Sequence, residues 1–311
     1  MKYRLLGKTG WKVSVLGLGA SPLGGAFGPV DEKEGIRTVK TAIDLGINFI
    51  DVSPHSGSTR AESILGKALR EIPREKFLLA TKVGRYGPGA KDLDYSASRV
   101  IAGVDESLKR LKLSHIDLIQ CHDIEFAPPG MLAEETLPAL QKLKAIGKVR
   151  HIGITGFPLE ALKKATEKGT LDTVQSYCHY CLTDITLVRL VQHLKTRNVG
   201  IINASPFAMG LLTPKGPPVW HPAPADYRDV CAAAVEHCRK RRRELPKLAL
   251  QFATSNRDIA TTLVGTSSAK KLKQDVAWIE EPIEEGLLAE VQQVLKPILN
   301  RPWAGSLETA P

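Results

Sequence analysis

Eight short apolar runs alternate with helix-periodic segments along this chain, and few architectures accept that rhythm. The runs are Val15–Ala20, Asn48–Ser53, Phe77–Val83, Ile116–His122, Val149–Thr155, Thr173–Tyr177, Gly200–Ser205 and Thr261–Thr266. They are rich in Val, Ile and Leu and apolar on both faces, as parallel strands covered by helices are. Between them, apolar residues recur at helical spacing: Ile36, Val39, Ala42 and Ile43; Val100, Val104, Leu108 and Leu111; Leu137, Leu140 and Leu143; Leu187, Leu190, Val191 and Leu194. Gly46, Gly147 and Gly169 stand where helices should stop. Eight strand–helix units in succession predict a closed α/β barrel, the (β/α)8 TIM barrel. A chain of 311 residues suits one such barrel as a single domain over 1–311.

Three additions to the minimal barrel are expected. Residues 3–14, with Gly7-Lys8-Thr9-Gly10 between two strand-like pieces, read as an N-terminal β-hairpin. Residues 207–225 carry five prolines and read as a long loop after the seventh strand, at the face where barrel active sites lie. Residues 283–300 read as an extra C-terminal helix, followed by a tail containing Pro and Gly.

Composition narrows the function classes. Hydrophobic residues make up 43% and charged residues 24%, the balance of a water-soluble globular chain. No apolar run reaches the ~18 residues of a membrane span, and no signal peptide precedes the first strand pattern, so the cytoplasm is expected. The net charge of +10 suits anionic ligands such as cofactor phosphates. The densest basic run, Arg239 to Arg243, lies in a helix-like stretch without interleaved aromatics and reads as a solvated helix face, so no nucleic-acid partner is expected. Cys178 and Cys181 have CxxC spacing but no second pair, so no metal site is expected. Cys121 and Cys178 read as small buried apolar residues. A small-molecule substrate and a monomer or weak homo-oligomer complete the expectation.

In a barrel of this kind, functional groups stand at the C-terminal strand ends. Those ends carry Asp51, Lys82, His122, Thr155, Gln175 and Ser205. An isolated Asp or Lys closing an apolar strand is costly to bury, and pairing the two removes most of that cost. Tyr86 and Trp220, on loops at the same face, are candidate pocket residues.

The chain resembles the aldo-keto reductase superfamily over nearly its full length. The motifs are Leu6-Gly7-Lys8-Thr9-Gly10, Gly46-Ile47-Asn48-Phe49-Ile50-Asp51, Ala80-Thr81-Lys82, Gly147-Lys148-Val149-Arg150 and Gln175, in family order. Within it, Cys121-His122-Asp123-Ile124-Glu125-Phe126 and Ser176-Tyr177-Cys178-His179-Tyr180 are most like the plant-type L-galactose dehydrogenase group. The resemblance implies NAD(P)-dependent oxidoreduction of a sugar (an L-galactose-like aldose) or a small carbonyl or alcohol. It assigns Asp51, Lys82 and His122 to the catalytic tetrad. It implies that Thr155 and Gln175 hold the nicotinamide carboxamide, although the usual Ser-Asn pair is Thr155-Gly156 here. It places Ser205, Gly265, Thr266 and Ser267 along the cofactor, with Lys271 near its phosphates and Asp275, usually Asn, near its adenine. NAD or NADP both remain open: the galactose dehydrogenase group is NAD-linked, whereas NADP-preferring members often hold a basic residue where Lys271 stands.

The family's fourth catalytic residue, a tyrosine, aligns with Ser56, and its neighbour is His55. Serine is shorter and far less acidic than tyrosine, whose pKa of ~10 falls beside a cationic lysine. Three readings follow. Redox chemistry persists with another acid/base, His122 first, then His55, then Lys82. Alternatively the scaffold runs a non-redox proton transfer as an isomerase, dehydratase or cyclase. Or the chain is a cofactor-binding regulatory or interaction protein.

Overall fold

A computed structural model describes residues 1–168 and 170–303. Gly169, expected to end a helix, and the tail beyond residue 303 lie outside the described residues. The strands are β1 (Tyr3–Leu5), β2 (Lys12–Ser14), β3 (Leu16–Gly19), β4 (Phe49–Asp51), β5 (Leu78–Val83), β6 (Ile116–Cys121), β7 (Val149–Gly156), β8 (Thr173–Tyr177), β9 (Gly200–Ala204) and β10 (Thr261–Gly265). Strands β3 to β10 form a closed parallel barrel in sequence order, with β10 pairing β3 through Thr262 and Leu16. All eight expected runs became barrel strands.

The helices are α1 (Glu32–Asp44), α2 (Arg60–Leu69), α3 (Ala97–Leu111), α4 (Leu137–Ala145), α5 (Leu159–Lys168), α6 (Val188–Thr196), α7 (Ala225–Lys240), α8 (Leu245–Ser255), α9 (Ala269–Glu280) and α10 (Glu285–Leu295). Helices α1 and α3 show the pattern, an apolar stripe buried on one face: Val39 and Ala42 on α1 and Val100, Val104 and Leu111 on α3 are buried. Gly46 and Gly147 follow α1 and α4 at φ 83 and 79, a backbone region that costs glycine nothing. The Pro-rich loop after β9 leads into two helices, α7 and α8, before the last strand. The extra helix, α10, is shorter than expected and ends in a 3-10 turn at Lys296–Ile298. The basic run is only half helical. α7 ends at Lys240, and Arg242 takes φ 56 in the turn to α8. Arg239, Arg241 and Arg243 pair with Glu236, Glu290 and Glu284.

Strands β1 and β2 form the expected antiparallel hairpin. Its Leu6 and Val13 are buried with Phe49, Ala80, Leu118, Ile202 and Leu263, closing the barrel's N-terminal end with an apolar plug. Side chains alternate along a strand. Two positions beyond Phe49, Ala80 and Leu118 the same inward face therefore carries Asp51, Lys82 and Gln120. The barrel is apolar below and polar above.

Candidate active site

The upper layer begins with an ion pair. Lys82 Nζ donates to Asp51 Oδ1 at 2.5 Å and to the Val52 carbonyl at 3.0 Å. Both residues are nearly sealed, 3% and 4% exposed. Gln120 Nε2 donates to the other Asp51 oxygen at 2.9 Å and to Gln175 Oε1 at 3.2 Å. Burial pushes the Asp51 carboxyl up, and Lys82, Gln120 and Gln175 oppose that push. Gln120 was missed at the sequence level. Its signal was parity: it shares an inward face with Leu118 on an otherwise apolar strand.

His122 follows β6, its N–H held by the Val83 carbonyl at 2.8 Å. Its Nε2 lies 3.7 Å from Asp123 Oδ2, while its buried Nδ1 has no hydrogen-bond partner. A carboxylate beside Nε2 favours the tautomer with the proton there, leaving a lone pair on Nδ1. Burial holds the imidazole well below its ordinary value; Lys82, His55 and Arg85 act the same way and Asp123 opposes them. Asp123 is in turn gripped by Arg85 Nη1 at 2.7 Å. Its backbone N–H donates to Thr155 Oγ1 at 3.1 Å.

Ser56 and His55 occupy the loop between β4 and α2. Ser56 is 4% exposed and belongs to a hydroxyl ladder, 2.8 Å from Ser53 Oγ and donating to Ser21 Oγ at 2.9 Å. Two glycines hold this ladder together. Gly57, at φ 60, lies so close to the turn at residues 21–24 that a Cβ on it would sit 2.2 Å from the Gly24 carbonyl oxygen. The His55 ring stands edge-on to His122 with centroids 5.7 Å apart, and its Nδ1 donates to the Gly87 carbonyl at 3.0 Å.

Thr155 and Gln175 are register partners at the ends of β7 and β8. Ser205 follows β9 at φ 60, its hydroxyl against Cys178. Gly265, Thr266 and Ser267 run from β10 to Ser268, which caps α9 and accepts the Lys271 N–H. Lys271 Nζ lies 5.3 Å over the Phe207 ring. Asp275 is wholly buried with neither oxygen hydrogen-bonded, and burial pushes it up to about 6. Glu125 Oε2 is also buried and unpartnered. Two buried acceptors, one in the turn after β6 and one on α9, suit a ligand that brings N–H donors.

Two expected pocket residues part company. Trp220, on the loop after β9, meets Phe27 edge-on at 5.7 Å. Tyr86 is packed against α3: its hydroxyl donates to the Arg99 carbonyl at 3.3 Å and the Arg99 guanidinium covers its ring at 3.6 Å. The structure does not bring Tyr86 to the cluster. Cys178 and Cys181 are buried free thiols, and Cys181 Sγ donates to the Cys178 carbonyl at 3.6 Å. Among the described residues, no helix is long and apolar enough to cross a membrane.

The closed βα barrel thus gathers a buried Asp–Lys pair and a histidine at three neighbouring strand ends. Residues 15–296 match the Aldo/keto reductase family, and the chain belongs to it. It is 46% identical to an L-galactose dehydrogenase of Arabidopsis thaliana, over 99% of this chain and 98% of that one. It is 33% identical to a D-arabinose 1-dehydrogenase of Saccharomyces cerevisiae, over 84% of this chain and 81% of that one. Among solved structures it resembles the holo form of an aldo-keto reductase from Bacillus halodurans. The TM-score is 0.78 at 26% identity, covering 99% of each chain.

Proposed function

We propose that this enzyme oxidises an aldose of the L-galactose type at its anomeric carbon, with NAD or NADP as hydride acceptor and His122 as proton acceptor. The observation that carries the reading is His122 itself: a neutral imidazole with an unpartnered Nδ1, next to the Asp51–Lys82 pair. The relatives named above, acting on L-galactose and D-arabinose, support the substrate class.

Thr155 and Gln175 would hold a nicotinamide, which when bound would supply hydride acceptance. The protein's own part is positional and electrostatic. Lys82 spends two of its three N–H donors on Asp51 and Val52 and keeps one for the substrate hydroxyl. Its charge stabilises the alkoxide that develops there. His122 Nδ1 takes the hydroxyl proton, and the Asp123 carboxylate stabilises the imidazolium that forms. Ser56 is not the acid/base in this reading, because its hydroxyl is committed to Ser21 and Ser53. Lys271 and Asp275 support an adenosine end along α9. Five free buried thiols support a reducing cytosolic compartment.

The test follows reduced-cofactor absorbance with L-galactose and a panel of aldoses and carbonyl compounds, for the native chain and Ser56→Tyr. Turnover by the native chain is expected. Tight cofactor binding with turnover only in Ser56→Tyr refutes His122 as a sufficient base. Product formed without cofactor consumption refutes the redox reading in favour of isomerisation, dehydration or cyclisation.

A further inference from the structure

Glu125 sits in the turn after β6, yet its carboxyl reaches across to the end of β7. Its Oε1 accepts the Phe157 N–H at 3.0 Å. Its Oε2 lies over Gly156, where an added Cβ would stand 2.6 Å from that oxygen. Any side chain at 156 would displace the carboxyl, so the glycine makes the room that Glu125 fills. The residue before Gly156 is Thr155, paired in register with Gln175. The carboxyl therefore stands one residue beyond Thr155 at the end of β7, where Leu162 and Ile124 also approach Gly156. Yet Oε2 is buried without a partner, and burial together with the Asp123 charge pushes the group up to about 7. A buried carboxyl with one satisfied and one orphaned oxygen lacks one donor.

We infer that Glu125 is a cofactor-binding residue, its Oε2 accepting an N–H of the nicotinamide carboxamide above Gly156. The inference rests on the cofactor reading of Thr155 and Gln175. It assigns the amide end of the ligand to a side chain from the neighbouring β6 turn, in a space that β7 leaves open. Above about pH 7 the ionised carboxyl only accepts, and there it selects a primary amide over a carboxylate, since a carboxylate would bring a like charge and no donor. Nicotinic acid forms of the dinucleotide should therefore be rejected.

The test is calorimetric titration of the native chain and Glu125→Ala with NADH, NADPH and ADP-ribose, which lacks the nicotinamide. Losing one hydrogen bond to a buried acceptor should weaken the reduced dinucleotides about tenfold, while ADP-ribose binds as before. Unchanged ADP-ribose affinity also shows that the variant is folded. Equal dinucleotide affinity in both proteins overturns the inference. So does an equal loss for ADP-ribose, which marks a structural role. If the native chain binds none of the three ligands, the cofactor reading itself fails and Glu125 with it; that result is distinct from either of the others.

Discussion

Replacing His122 with glutamine tests the proton path most directly. The substitution removes the Nδ1 acceptor and keeps a polar side chain of similar reach. The neighbouring groups have partners of their own: His55 Nδ1 donates to the Gly87 carbonyl at 3.0 Å. Both Asp51 oxygens are engaged, by Lys82 and Gln120, and the Ser56 hydroxyl is tied into its ladder. The loss should therefore be that of a whole acid/base, about 10²–10⁴ in kcat, or about 3–5 kcal/mol of barrier at ~1.36 kcal/mol per decade. Because Nδ1 makes no hydrogen bond in the folded chain, stability and cofactor affinity should hold. The pH profile carries a second signature. The imidazole is held well below 6.5, so the native enzyme should stay active down through pH 6.5, with its acidic limb lower still. Steady-state kinetics of aldose oxidation across pH would measure both. A loss of less than about tenfold, or an acidic limb above neutrality, refutes the assignment.

Lys82→Met leaves Asp51 buried without its counter-ion and should destabilise the fold by about 3–5 kcal/mol in urea unfolding, with Asp51→Asn/Lys82→Met recovering most of it. Leu6→Ala opens the plug at the far end of the barrel and should cost about 2–5 kcal/mol by the same measurement without altering cofactor affinity. Glu125 is pushed up from 4.5 to about 7, so between those values the native state holds a proton that the unfolded chain has lost. Stability should thus fall as pH rises from 4.5 to about 7 and level off above it, and Glu125→Gln should remove a slope worth about 3 kcal/mol, from ~2.5 units at ~1.36 each. Thermal melts of the two proteins between pH 4 and 8 give the comparison.

The barrel was legible because its cause is local. Each strand is a short apolar run and each helix a stripe of period 3.6, so element types follow from neighbours in sequence. The ion pair was legible for a related reason: Asp51 and Lys82 each close such a run, and only the barrel's C-terminal face makes them partners. Gln120 escaped because a neutral amide inside an apolar strand raises no alarm until its inward face is known. Glu125 escaped because its meaning depends on a glycine 31 positions later that makes room for it. Tyr86 was assigned by proximity to a strand end, whereas Arg99 and the Gly103 gap draw its ring onto α3. The basic run read as one helix face because helical spacing alone does not reveal the Arg242 turn.

The N-terminal plug also sets a clock on biosynthesis. The Arg4 guanidinium binds the carbonyls of Thr254, Asn256 and Ile259 at 2.6–2.8 Å, across as many as 255 positions. Strand β3 likewise waits for β10. At roughly 5–20 residues per second, a ribosome holds Arg4 and the outer edge of β3 without these late partners for roughly 13–50 s. Throughout that interval both edges of the growing sheet present unpaired backbone, and Leu6 and Val13 have no completed barrel to enter. Closure is thus a late, long-range event with a high contact order. A nascent chain cut short before β10 would be a target for chaperones or proteases, not a smaller enzyme.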